Sequence, residues 1–187
     1  RGAVAALHVA KGLVGYEDLD AYGTWHRVPE LGMAWKPARV SADWAPYRFG
    51  QWIWKQPWGW TWVDDAPWGF APFHVGRWLD VDGAWLWLPG PRQVRAIYAP
   101  ALVGWTSDSA EGGRIGWYPL GPGEDYAPLY PSSDQHRRRQ NTFAIPHSRQ
   151  NGSGEATARP VESPRSITWA PRRMFAGHPA PHALRYA

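Results

Sequence analysis

The 187-residue chain is 44% apolar, holds 20 Gly and 19 Pro, lacks Cys and carries a formal net charge of +4. Its length suits one domain with a tail or one elongated domain, and its Gly and Pro content favours many turns over long helices. The absence of thiols excludes disulfides, thiolate zinc sites, iron–sulfur ligation and a cysteine nucleophile.

Residues 1–14 read as an N-terminal arm. The apolar character of "RGAVAALHVAKGLVGY" is interrupted by His8 and Lys11, which leaves too short a run for a signal-peptide core. No stretch of the chain reaches the roughly 18 apolar residues of a membrane-spanning helix. The start at Arg1 rather than Met reads as a processed or trimmed product. The next segment, "GYEDLDAYG", allows one short helical turn.

From here a unit recurs. "APYRFGQW" (Ala45–Trp52) and "APFHVGRW" (Ala71–Trp78) agree at A-P-aromatic-x-apolar-G-x-W, offset by 26 residues. A looser copy precedes them in "DAYGTW" (Asp20–Trp25) and a degenerate one follows in "APALVGW" (Ala99–Trp105). Each full copy runs through a turn into a second aromatic stretch, "PWGWTWV" or "DGAWLWLPG". Side chains at i and i+2 share one face of a strand. The pairs Trp52/Trp54, Trp60/Trp62 and Trp85/Trp87 therefore each point one way. Ile53, Thr61 and Val63 suit the pleat between them, while Pro57–Gly59 and Asp82–Gly83 are turn chemistry. The Gly that precedes x-W, at positions 50 and 76, predicts φ > 0 or an indole packed over its Cα. Each A-P proline is expected at a strand start or edge, having no N–H to give a ladder. Residues 15–131 are thus read as an all-β domain of antiparallel hairpin repeats of about 26 residues, rich in Trp, Gly and Pro. "IGWYPLGPGEDYAPLY" (Ile115–Tyr130) is its closing cap.

Residues 132–187 differ in kind. They carry 9 Arg, no Lys and 3 acids, net +6, whereas residues 1–131 carry 11 Lys+Arg and 13 Asp+Glu, net −2, and 14 of the 15 Trp. The segment reads as an irregular, extended basic tail. Arg137, Arg138, Arg139, Arg172 and Arg173 offer carboxylate- or phosphate-binding forks. Ile167, Trp169, Met174, Phe175, Leu184 and Tyr186 offer apolar anchors for docking.

"GYEDLDAYGTW", "WAPYRFGQW", "PWGWTWVDDAPWGFAPFHVGRW", "APALVGW" and "GWYPLGPGE", in this order, resemble an uncharacterised family of exported, proline-rich bacterial proteins with Trp-Gly repeats. Its members often follow a signal peptide and a small FecR-like β domain. The resemblance implies a periplasmic or cell-surface location and carries no catalytic residues.

Signals for chemistry are sparse. There is no G-x-S-x-G, "NGSG" (Asn151–Gly154) has linker composition, and "GPGEDY" lacks the Lys and helix of a phosphate loop. His178 and His182 are separated by two prolines that forbid an aligning helix. Asp80–Gly83 lacks the third acid and distal Glu of a calcium loop and reads as a hairpin turn. Asp64 and Asp65 could suggest a glycosidase pair, but neighbours in a strand face opposite ways. No metal and no cofactor is expected.

Two readings compete for the indoles. Trp52, Trp54, Trp60, Trp62, Trp78, Trp85 and Trp87 can form the core, since each indole buries about 150–250 Å², or a continuous aromatic binding face. The leading expectation is a non-enzymatic cell-envelope scaffold or assembly subunit. Its partner would be another protein or further copies of the chain, gripped through that face and through Arg137–Arg139, Trp169, Arg172, Arg173 and Phe175. Deleting residues 132–187 is expected to spare the β domain. A peptidoglycan- or exopolysaccharide-binding module is the alternative and an unrecognised hydrolase the third reading. Nucleic acid is disfavoured because the aromatic segment is net acidic.

Overall fold

A computed structural model describes residues 4–108, 113–142 and 165–181. Its order is a 3₁₀ turn at Ala5–Leu7, α1 (Leu19–Tyr22), β1 (Gly23–Val28), β2 (Gly32–Pro37), β3 (Gly50–Lys55), β4 (Gly59–Asp64), α2 (Ala71–His74), β5 (Arg77–Val81), β6 (Ala84–Leu88), β7 (Val103–Ser107), β8 (Arg114–Pro119), α3 (Asp134–Thr142), β9 (Thr168–Pro171) and a 3₁₀ turn at Arg172–Phe175. The all-β class built from antiparallel hairpins holds. Four hairpins follow one another, β1–β2, β3–β4, β5–β6 and β7–β8. They do not stack in chain order. The first and third share a sheet of order β1-β2-β6-β5, the second stands as two strands, and the fourth gains β9.

The repeat is a tryptophan pair. Trp25 lies directly opposite Trp35, Trp52 opposite Trp62, Trp78 opposite Trp87, and Trp105 opposite Trp117. Cross-strand side-chain pairs are the units of sheet stabilisation, aromatic pairs among them. Here each hairpin carries one at an equivalent place. The second-strand members, Trp35, Trp62, Trp87 and Trp117, are all buried, and all eight indoles belong to one cluster. Within it the hairpins interlock. Trp35 and Trp87 bridge the first and third, and Trp52 meets Trp105 at 4.7 Å and Trp117 at 5.6 Å between centroids, joining the second to the fourth.

Burying an indole requires an acceptor for its N–H. The backbone supplies most of them: Trp35 Nε1 donates to Leu19 O (2.9 Å), Trp78 Nε1 to Pro72 O (2.9 Å), Trp87 Nε1 to Val75 O (2.8 Å) and Trp117 Nε1 to Tyr47 O (2.7 Å). Leu19, Val75 and Tyr47, each ahead of a strand, are thereby fastened to the Trp of the partner or a distant strand, while Pro72 is fastened to the Trp of the strand it precedes. Identical repeat letters take different backbones for this purpose. Ala71–His74 winds into α2, with Pro72 in its first turn where no N–H is missed. Tyr47, its counterpart 26 residues earlier, has φ +62°. The two copies then meet: Tyr47 Oη donates to Phe73 O at 2.9 Å and their rings pack edge-to-face at 5.0 Å. Both A-P prolines precede the strand rather than start it.

Three expectations are corrected. The N-terminal arm is core: Ala5, Val9, Ala10 and Leu13 are buried in the main cluster, and Asp20 accepts from the backbone N–H of Ala5. The basic segment does not start as extended chain. Ser133 Oγ caps the N–H of His136 and Asp134 sits in the first turn, the standard start of a helix. Nothing from Gln135 to Asn141 breaks the helix. Its far end is held by Asn141, whose Oδ1 accepts from Tyr126 N (2.7 Å) while its Nδ2 donates to Tyr126 O (3.2 Å). Finally, residues 165–181 are integrated in the body. β9 pairs with β8, matching Gly116 to Trp169 and Ile115 to Ala170. Phe175 is buried against Trp60 (5.0 Å), Trp105 (6.0 Å) and Trp117 (6.3 Å). The anchors expected at Leu184 and Tyr186, the linker at 151–154 and His182 lie outside the described residues.

Candidate functional site

The proposed aromatic face is placed first. Trp52, Trp54, Trp60 and Trp62 do share one face of the second hairpin, as their spacing requires, and Trp78, Trp85 and Trp87 join the same cluster. That face is interior. Trp60, Trp62, Trp78, Trp85 and Trp87 are buried and Trp52 and Trp54 half-buried. His178 stacks on Trp54 at 4.3 Å with rings parallel to 4°, and Trp60 Nε1 donates to Pro179 O at 2.9 Å. The core reading wins because the chain's own hairpins and tail cover both sides of the indoles. The exposed indole on this hairpin is Trp58, in the turn, which strand periodicity does not mark.

The opposite face of the same hairpin is where binding surface remains. Ile53, Thr61 and Val63, the residues between the tryptophans, point away from the core. With Trp58, Phe70 and Tyr98 they wall an open groove of about 570 Å³. Ile53, Trp58, Val63, Phe70 and Tyr98 are each more than a third exposed. Grouped apolar residues of this kind mark interaction sites, whereas scattered ones do not. The chain builds the far wall by holding its long connections: Pro100 O accepts from Trp62 N at 3.0 Å along β4, and Tyr98 Oη accepts from Val14 N at 2.8 Å.

The floor holds two titratable groups. Asp64 Oδ2 accepts from Trp62 Nε1 (2.9 Å) and Oδ1 from Ala66 N (3.0 Å). Burial nevertheless dominates and raises its pKa to about 6, with the like charge of Asp65 adding to the rise. His74 is pushed below its ordinary value by burial, while its Nδ1 donates to Ala99 O at 2.7 Å. Asp64 is thus committed to the turn between β4 and α2, and His74 ties α2 to the connection between β6 and β7. Asp65 is exposed, so the two adjacent carboxylates occupy different environments. Among the described residues no group of His, Asp and Glu could hold a metal ion. Asp80–Gly83 is a tight hairpin turn, with Asp82 and Gly83 both at positive φ and Gly83 N donating to Asp80 Oδ1.

The four hairpins, the groove-forming turn and the start of the closing segment lie where a family model matches, over residues 16–124. The chain belongs to a family of unknown function, DUF6600. No curated protein and no solved structure matches it.

The candidate tail residues flank the DUF6600 region and separate into two groups. Arg137, Arg138 and Arg139 are exposed on α3, with Arg137 paired to Asp134 within the helix. Trp169, on β9, lies under the guanidinium of Arg114, 5.0 Å from the ring centroid. Arg173 is exposed and Arg172 half-buried beside the Phe175 anchor. Sequence reasoning missed Arg77, which is 2% exposed. Its guanidinium donates to Glu124 O, Gly76 O and Asn141 Oδ1, and so ties β5 to the closing segment and α3. Its lone position before the repeat Trp offers no sequence signal beyond the charge itself.

Proposed function

We propose that this protein is a non-enzymatic scaffold or assembly subunit of the bacterial cell envelope, which holds a protein partner in the groove between β3–β4 and the Phe70–Tyr98 wall. The observation that carries the proposal is the grouping of Ile53, Trp58, Val63, Phe70 and Tyr98, exposed together around one concavity in a chain whose other aromatics are largely buried. Grooves of this kind take apolar anchor side chains from a partner. The envelope assignment rests on the resemblance to exported Trp-Gly proteins.

A glycan is the second reading, favoured by the exposed rings of Trp58 and Tyr98. Sugar rings stack on such faces but also need hydrogen bonds. The groove's polar side chains are mostly engaged with the chain itself: Asp64 with Trp62 and Ala66, His74 with Ala99, Thr61 with Gly59 O and Tyr98 with Val14. That commitment favours an apolar protein contact.

The test is Val63→Glu, which puts a charge in the groove at an exposed position. The tagged full chain, expressed in a bacterium encoding it, is cross-linked and fractionated. The wild type is expected in the envelope fraction with stoichiometric companions, and the variant is expected to lose them at an unchanged melting temperature. Equal recovery would overturn the groove, retention of peptidoglycan instead of protein would favour the glycan, and a cytoplasmic location would overturn the envelope assignment.

A further inference from the structure

A second cleft, of about 640 Å³, adjoins the apolar groove, and Tyr98 lines both. Its walls carry Lys11, Arg92 and Arg95 and no carboxylate. All three cations are exposed, and none of them makes a hydrogen bond or ion pair with the described residues. Two other exposed arginines are paired, Arg114 with Asp108 and Arg137 with Asp134, whereas Arg27, Arg39, Arg139 and Arg173 are exposed singly. What sets the cleft apart is that three cations line one concavity. Residues 1–131 are net −2, so this concentration of unmatched positive charge runs against the balance of the body that carries it. Like charges gathered without counter-charges raise the local potential and attract an anionic ligand. Val94 and Ala96 lie among the cations, which makes the cleft floor apolar. Lys55 adds a cation to the lining of the apolar groove.

We propose that the two grooves form one binding track for an extended acidic–apolar peptide segment of a partner protein. Its apolar side chains seat between Val63, Phe70 and Tyr98, and its carboxylates meet Lys11, Arg92 and Arg95. Charge complementarity commits the occupant. Arg forks bind carboxylates bidentately, and Lys serves as a point charge. The chain's own residues 132–187, with 9 Arg against 3 acids, carry the wrong sign to fill it. This inference rests on the proposed apolar groove and extends it by naming the chemistry of the partner.

The experiment uses the full chain and a fluorescein-labelled peptide of alternating Leu and Glu, read by anisotropy at low and high salt. The comparison probes are the Leu/Gln peptide, oligothymidylate and phosphatidylglycerol vesicles. The Leu/Glu peptide is expected to bind best. The triple variant Lys11→Gln, Arg92→Gln, Arg95→Gln is expected to weaken it about tenfold at low salt, as three exposed pairs would, and to lose most of the salt dependence. Val63→Glu is expected to weaken it at both salts. Binding unchanged in the triple variant, equal binding of the Leu/Gln peptide, absence of peptide binding, or preference for oligothymidylate or vesicles would each overturn the acidic-peptide proposal. If Val63→Glu loses native companions while the triple variant keeps them, the apolar groove stands and its cationic extension falls. Loss of neither overturns both.

Discussion

Gly50 and Gly76 occupy the same repeat position and show how one residue type serves two constraints. At Gly50 a Cβ would fall on the Trp62 indole and the Val63 carbonyl; at Gly76 it would fall on Trp87 Nε1 and the Leu88 carbonyl, and φ is +81° as well. In both, the second-strand Trp of the hairpin lies across the glycine, which is why G-x-W and the returning aromatic stretch recur together. A β-branched side chain at Gly76 meets the steric clash and the left-handed backbone at once. Gly76→Val should cost more than about 2 kcal/mol. Gly83, at φ +83° with open space around it, supplies the control, because Gly83→Ala carries the backbone cost alone, about 1 kcal/mol. Urea denaturation of the two variants checks the difference, and equal losses would mean that the Trp87 contact is immaterial.

At the scale of elements, period-two alternation correctly assigned the faces of β3, β4 and β6, because a strand admits only two. It did not say which face would be covered. For β3–β4 the tail contributes, with Phe175 packed against the Trp60, Trp105 and Trp117 rings and His178 stacked on Trp54. The charge division at residue 132 suggested a separable segment, but charge reports on solvent and not on where a few apolar residues dock. Phe175→Ala should therefore lower stability by about 3 kcal/mol, as emptying an aromatic pocket does. Removing residues 165–187 should destabilise the body further, contrary to the expectation that the β domain is indifferent to them. Thermal melts of the two variants decide it; wild-type stability in either would return the tail to the status of a passenger. The helix α3, by contrast, is legible in "SSDQHRRRQN", where Ser133 and Asp134 form a helix start ahead of a run free of helix breakers.

Across the whole molecule, stability should depend on two opposed buried groups at the base of the groove. Asp64 has its pKa raised to about 6 by burial, so its contribution is full below its ordinary value near 4 and is lost as pH rises through 6. His74 is depressed by burial from 6.5, so its contribution is present above 6.5 and is lost as pH falls. The two slopes have opposite sign and partly cancel where the two titrations overlap. Asp64→Asn should remove one of them and steepen the loss of stability on acidification by up to about 1 kcal/mol per pH unit, measured by denaturant titration at several pH values. An unchanged slope would mean that Asp64 titrates normally. By itself the sequence determined the all-β class, the hairpins, their turns and the 26-residue period, because turn chemistry and side-chain alternation act over a few residues. Only the tertiary structure decided that hairpins one and three share a sheet, that the tryptophans turn inward, and that Ile53, Val63, Phe70 and Tyr98 converge on a groove. Those outcomes depend on which apolar faces meet across long sequence separations, where one indole is interchangeable with another in sequence and distinguishable only by what finally packs against it.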